Sequence, residues 1–127
     1  MTEKMVLTKR EQKALTEYQH FVLQKFPQQI ERLILFGSRA RGDATAESDI
    51  DLLVVLHKKV KPGQDGFYPI GLTDPVWRGI VGATFDFLLE YGVDISPTVM
   101  SRTEYAGRSP LLNHIEQDGI ELWTRPN

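Results

Sequence analysis

Apolar residues recur at helical spacing at Leu15, Tyr18, Val22 and Phe26, and Pro27 ends the run. Thr8 followed three residues later by Glu11 is a capping-box pair, so the first helix is expected to start at Thr8. Two short continuous apolar runs come next, RLILF at 32–36 and IDLLVVL at 50–56. Both read as strands buried on at least one face. The segment 57–72 breaks the pattern with three lysines, three glycines and two prolines, and reads as a long loop. Asp74 and Pro75 have the chemistry of an N-cap and a first helical residue, and apolar positions continue through Ile80, Phe87, Leu88 and Tyr91 to Gly92. VDIS at 93–96 alternates as a half-exposed strand does, with Pro97 marking an edge or an end. Ser101 with Glu104 forms a second capping box, Ser109 before Pro110 opens another helical turn or two, and IELW at 120–123 is a last strand.

Strands and helices thus alternate without internal repeats, which predicts an α/β or α+β fold: a small mixed sheet flanked by helices. At 127 residues the chain is expected to form one domain, 1–127, with Trp77, Trp123, Phe85 and Phe87 in its core. A net charge of -2 gives no support for bulk nucleic-acid binding, so any cationic site is local. The absence of cysteine excludes disulfides, zinc-thiolate sites and thiol nucleophiles, and suits a reducing cytoplasm. No stretch approaches the about 18 apolar residues of a membrane span, and the first residues lack a signal-peptide core. A cytoplasmic protein away from membranes is expected.

The chemistry concentrates in FGSRARGDATAESDIDLLVV at 36–55. Side chains two apart on a strand share a face, so Asp49 and Asp51 project together while Ile50 and Leu52 turn to the core. Two adjacent carboxylates repel unless a cation lies between them. Mg²⁺ suits them, since it is ordinarily held by one or two carboxylates together with substrate phosphates and water. Upstream, Gly37 and Ser38 stand where a strand ends and a short helix could begin. Backbone N–H groups there, the Ser38 hydroxyl and the bare Gly37 make a phosphate cradle, to which Arg39 and Arg41 could add charge-assisted bonds. A nucleoside triphosphate answers both features. On the apolar strand at 93–96, Asp94 occupies the polar face and is a third acidic candidate; Asp86 is its rival, on what reads as a solvated helix face.

Other motifs fail on particular residues. Gly37 and Gly42 have P-loop spacing, but Asp43 and Ala44 stand where Lys and Ser or Thr are required. Leu53 and Val54 occupy the next ligand position and the glycine of a calcium loop. A D-x-D pair also occurs in sugar-nucleotide transferases, but that reading leaves Gly37 and Ser38 unexplained. Arg41-Gly42-Asp43 spells an adhesion tripeptide by chance. His20, His57 and His114 show no metal-ligand spacing and are assigned no role. Lys58, Lys59 and Lys61 form a small basic cluster, either a solvated loop or a surface for an acidic partner.

Gly37-Ser38, ten residues, then Asp49-Ile50-Asp51 resembles the signature of the DNA polymerase beta-like nucleotidyltransferase superfamily. The flanking sequence, YGVDIS and the closing SPLLNHIEQDGIELW resemble its minimal single-domain (MNT) members. That resemblance implies the polymerase beta-like fold and two Mg²⁺ ions bridged by Asp49 and Asp51. Asp94 would bind the ion nearer the acceptor, as or beside the general base. It implies ATP as donor of AMP to a hydroxyl, with a small helical HEPN-domain toxin as partner, modified on a tyrosine, and an antitoxin role for this chain. Two alternatives stay open: a non-catalytic nucleotide-binding module that neutralises a partner by contact, and a small-molecule nucleotidyltransferase acting as a homo-oligomer.

Overall fold

A computed structural model of the chain describes residues 7–45, 47–61, 70–107 and 109–126. Half of the 57–72 loop, residues 62–69, lies outside the described residues. Helix α1 (Lys9–Lys25) begins at the expected capping box: Thr8 accepts from the Glu11 amide, and Glu11 accepts from the Thr8 amide. Strand β1 (Ile30–Phe36) leads into a four-residue helix α2 (Ser38–Arg41), then β2 (Ile50–Leu56) and α3 (Pro75–Tyr91). Strand β3 (Ile95–Ser101), the short α4 (Arg102–Ala106), α5 (Pro110–Asp118) and β4 (Ile120–Thr124) complete the order. At the start of α4, Ser101 caps the Glu104 amide.

The strands form one mixed sheet in the order β3-β2-β1-β4. β1 is antiparallel to both β2 and β4, while β2 and β3 run parallel. Alternation sorts the two central strands onto two faces. Leu33, Leu35, Ile50, Leu52 and Val54 meet α1 and α3 on one side, through Leu15, Tyr18, Val22 and Ile80. Ile34, Leu53 and Val55 meet Leu112 and Ile115 of α5 on the other. Both runs are therefore buried on two faces, which is why they read as continuous rather than alternating. The buried Tyr18 hydroxyl donates to the Ile80 carbonyl, satisfying a polar group inside the α1–α3 layer.

Two expectations needed correction. Phe85 is 62% exposed, whereas Phe87 packs edge-on against Tyr18. Residues two apart on a helix lie about 200° apart, so both phenylalanines could not face one layer. Val76, Ile80, Ala83, Phe87 and Tyr91 are the inward stripe. Trp77 and Trp123 are half-buried, Trp123 against the same core. Strand β3 also continues through Pro97 to Ser101. It is an edge strand, where an imino nitrogen can face outward without breaking the ladder.

The start of the lysine-rich segment is tied to α3. Asp74, the N-cap, accepts from the Val76 and Trp77 amides at 2.8 and 3.2 Å and from Lys58 Nζ at 3.0 Å. Partial burial pushes its carboxyl up, but the Lys58 bond and the two amides outweigh that and hold its pKa below the usual aspartate value. A carboxylate lowered on folding stabilises the protein above its unfolded pKa, near 4, and loses that contribution as pH falls through the folded value. Asp74→Ala is expected to cost about 1 kcal/mol at pH 7. The gap from wild type should narrow below about pH 4, as urea midpoints at pH 7 and pH 3 will show.

Candidate functional site

The acidic residues meet because of strand register. Ile50 of β2 pairs with Ile95 of β3, so Asp49 and Asp94, one residue before each, fall side by side. The Ile50 amide donates to the Asp94 carbonyl at 2.9 Å and fixes this arrangement. Asp51 pairs with Phe36 across the antiparallel β1–β2 ladder, which brings Gly37 beside the Asp51 carboxylate. A Cβ built on Gly37 would lie 2.3 Å from Asp51 Oδ2. Gly37 has φ 76° and ψ -158°, a conformation open almost only to glycine. Thus the Gly-Ser turn and the Asp pair, ten residues apart in sequence, are in contact in space. Asp86 stays exposed on α3.

Asp49 couples the three carboxylates electrostatically. Partial burial and then the charge of Asp49 push the Asp51 carboxyl up, and the nearby Arg41 guanidinium opposes them. Asp94 is raised by partial burial, then by the charge of Asp49 and by a hydrogen bond with it. Such crowding of oxygen donors suits a hard divalent cation, which would relieve the repulsion. Among the described residues, no three or more His, Cys, Asp or Glu side chains are grouped so as to hold a metal ion. The Asp49 and Asp51 pair offers the one or two carboxylates that Mg²⁺ ordinarily takes, with phosphate oxygens and water completing its sphere.

The two arginines separate. Arg41 stays with the site, lining a cavity with Gly37 and reaching Asp43 Oδ2 through Nε at 3.2 Å. Arg39, expected beside the phosphates, is 4% exposed and engaged elsewhere. Its Nη1 and Nη2 reach Glu11 Oε1 and Oε2 at 2.9 and 2.8 Å, and Nη2 also donates to the Ser48 carbonyl at 2.8 Å. Residues two apart on α2 point in different directions. Arg39 therefore ties α1 to the loop that delivers Asp49, as a positioning residue. Glu11→Gln is expected to lower stability by about 2 kcal/mol in urea unfolding, since the buried guanidinium loses an ionised partner.

The cavity beside Gly37 has a volume of about 290 Å³. Phe36, Gly37 and Arg41 form one wall, and Leu111, His114, Ile115 and Asp118 of α5 form the other. Of these α5 residues only His114 was singled out in the sequence, and it was assigned no role. The signal was present in NHIEQD, where His114 and Asp118 stand four apart on one helical face.

A family model described as nucleotidyltransferase domain matches residues 15–124. Two Methanocaldococcus jannaschii proteins named as candidate protein adenylyltransferases are similar. One is 51% identical over 45 residues, 35% of this chain and 45% of the relative. The other is 35% identical over 95 residues, 75% of this chain and 58% of the relative. The chain thus spans about half the length of these relatives. Among solved structures, a candidate nucleotidyltransferase from Sulfolobus solfataricus aligns with a TM-score of 0.50 at 24% identity, over 89% of this chain and 79% of that one. A toxin-antitoxin structure with AMP-PNP aligns with a TM-score of 0.50 at 18% identity, over 86% and 73%. Below 25% identity these two likenesses speak for the fold alone. No helix among the described residues is long and apolar enough to cross a membrane.

Proposed function

The chain belongs to the nucleotidyltransferase domain family and has the polymerase beta-like nucleotidyltransferase fold, and on that premise we propose that it transfers AMP from ATP, with Mg²⁺, to a hydroxyl on a partner protein. The observation that carries this reading is the contact of Gly37 with Asp51, with Asp49 and Asp94 beside it. On this reading the turn holds the phosphates and the carboxylates beside it hold the cation. The names of the relatives favour AMP and a protein acceptor. A tyrosine on a helical HEPN partner, with this chain as its antitoxin, is the acceptor that the sequence resemblance suggests.

In the proposed reaction the acceptor oxygen attacks the α-phosphorus, the bond to the α,β-bridging oxygen breaks, and pyrophosphate leaves with that electron pair. The Gly37–Ser38 turn and the Arg41 guanidinium hold and neutralise the outgoing phosphates. Asp94 takes the hydroxyl proton or orients the hydroxyl as water accepts it. Asp49 and Asp51 would hold Mg²⁺, which would supply positive charge to the entering and leaving oxygens. Most of the catalysis is then positioning and electrostatics.

The test uses ATP labelled at either the α- or the γ-phosphate, Mg²⁺, and a HEPN-domain protein encoded beside this chain. Asp49→Asn is the control. Label should reach the partner from the α-position alone and not with the variant. Tight binding of MgATP and partner without transfer of either label would overturn catalysis in favour of a binding module.

A further inference from the structure

Helix α3 is apolar on the face it turns to solvent as well as on the one it buries. Its inward stripe, from Val76 to Tyr91, meets α1 and the sheet. On the opposite side Arg78, Gly82, Phe85 and Leu89 are exposed. They are spaced by four, three and four residues, which is the step of a seam that packs on another helix. Leu89 is 70% exposed, and Leu88 beside it widens the apolar strip.

Gly82 sits in the middle of this seam, and glycine weakens a helix interior relative to alanine. At Gly79 the fold supplies a reason, because a Cβ there would lie 2.5 Å from the Phe26 ring. A Cβ on Gly82 would stand in open space, so packing within the described chain does not require its absence. Bare backbone next to Phe85 is a hole beside a knob, and it lets a second helix approach closely. The charges on α3 are ordered too. Arg78 lies in its N-terminal half, where it donates to the Leu72 carbonyl at 3.0 Å, and Asp86 and Glu90 lie in its C-terminal half. All three are exposed.

We propose that the outer face of α3 binds the same face of a second copy of this chain, with the two helices antiparallel about a two-fold axis. The charges select that arrangement: it sets Arg78 of each copy against the acidic half of the other helix, whereas parallel pairing would stack like on like. A two-fold interface must complement itself. Gly82 and Phe85 meet that requirement, because an axis passing between them seats each Phe85 over Gly82 of the other copy. The same register brings Arg78 opposite Leu89, within one turn of Asp86 and Glu90. A 17-residue helix is about 25 Å long, so one helix pair buries less than the roughly 1,600 Å² of a standard stable interface. The dimer is therefore reversible and dissociates in the micromolar range. None of the residues of the proposed transfer site takes part in it.

Analytical ultracentrifugation of the full chain from about 1 μM to about 1 mM tests this. Wild type should pass from monomer to dimer across that range. Gly82→Ala should raise the urea midpoint of the dilute protein, since alanine is the better helix former, and yet weaken the dimer about tenfold. Phe85→Ser should weaken it at least as much. Charge reversal tests the orientation: a chain with Arg78→Glu, and another with Asp86→Arg and Glu90→Arg, should each stay monomeric alone and should pair when mixed. A monomeric wild type, or dimerisation unaltered in both Gly82→Ala and Phe85→Ser, overturns the proposal. So does failure of the two charge variants to pair when circular dichroism shows both folded. If wild type stays monomeric and instead binds a HEPN-domain protein through a contact that Phe85→Ser abolishes, the face belongs to that partner and not to a second copy.

Discussion

Replacing Asp51 with asparagine should lower AMP transfer by about a thousandfold while making the metal-free protein more resistant to urea. The loss follows from the proposed role: an amide gives up the charge that keeps a cation between donor and acceptor oxygens. The gain follows from the geometry of the protein alone. Asp51 is half-buried, near the charge of Asp49 and against the Gly37 turn, and both burial and that charge disfavour its ionised form. Above the carboxylate range this crowding opposes folding, and a neutral, nearly isosteric side chain relieves it. Mg²⁺ should raise the urea midpoint of wild type, because a ligand that binds only the native state stabilises it, and should not raise that of Asp51→Asn. A variant that lost both activity and metal-free stability would indicate a structural role for Asp51 instead.

That expected opposition between function and stability is also what singled these residues out as candidates in the sequence. Asp49 stood just before an otherwise apolar strand and Asp51 within it, and Gly37 and Ser38 stood at the end of another. Both signals are local, and the bounds of β2 fell where the apolar run predicted them. Asp94 was legible for the same reason, as a polar residue on an apolar strand, although the strand proper begins one residue later. What places it beside Asp49 is the parallel register of β2 and β3, which no local pattern encodes.

The sequence was misleading where a residue's partner lies far along the chain. Arg39 looks like a second phosphate ligand because it adjoins Ser38, yet Glu11, 28 residues upstream, takes its guanidinium. Glu11 was itself noticed only as half of a capping box, and it does both jobs through the same carboxylate. Phe85 was miscast because helix existence is easier to read than helix phase: α3 was anticipated, but not which of its aromatic residues turn inward. The α5 cavity was least legible of all. Its two walls come from segments some 70 residues apart, and only the return of the chain across the Leu53 face of the sheet brings them together.

Gly37→Ala should be the most damaging glycine-to-alanine change among the described residues, costing about 3 kcal/mol of stability and about a hundredfold in transfer. Two separate effects contribute. The positive φ with strongly negative ψ is strained for any residue with a Cβ, by about 1–3 kcal/mol. The added carbon would also fall 2.3 Å from Asp51 Oδ2 and 3.1 Å from its Cγ, so either the turn or the carboxylate must move. Either movement separates the proposed phosphate and cation subsites. A double-mutant cycle distinguishes the two contributions. In an Asp51→Ala background the oxygen and Cγ are gone, and the stability cost of adding Gly37→Ala should shrink by at least about 1 kcal/mol, leaving the backbone strain. An identical cost in both backgrounds would assign the whole effect to the turn and leave its contact with Asp51 without energetic weight.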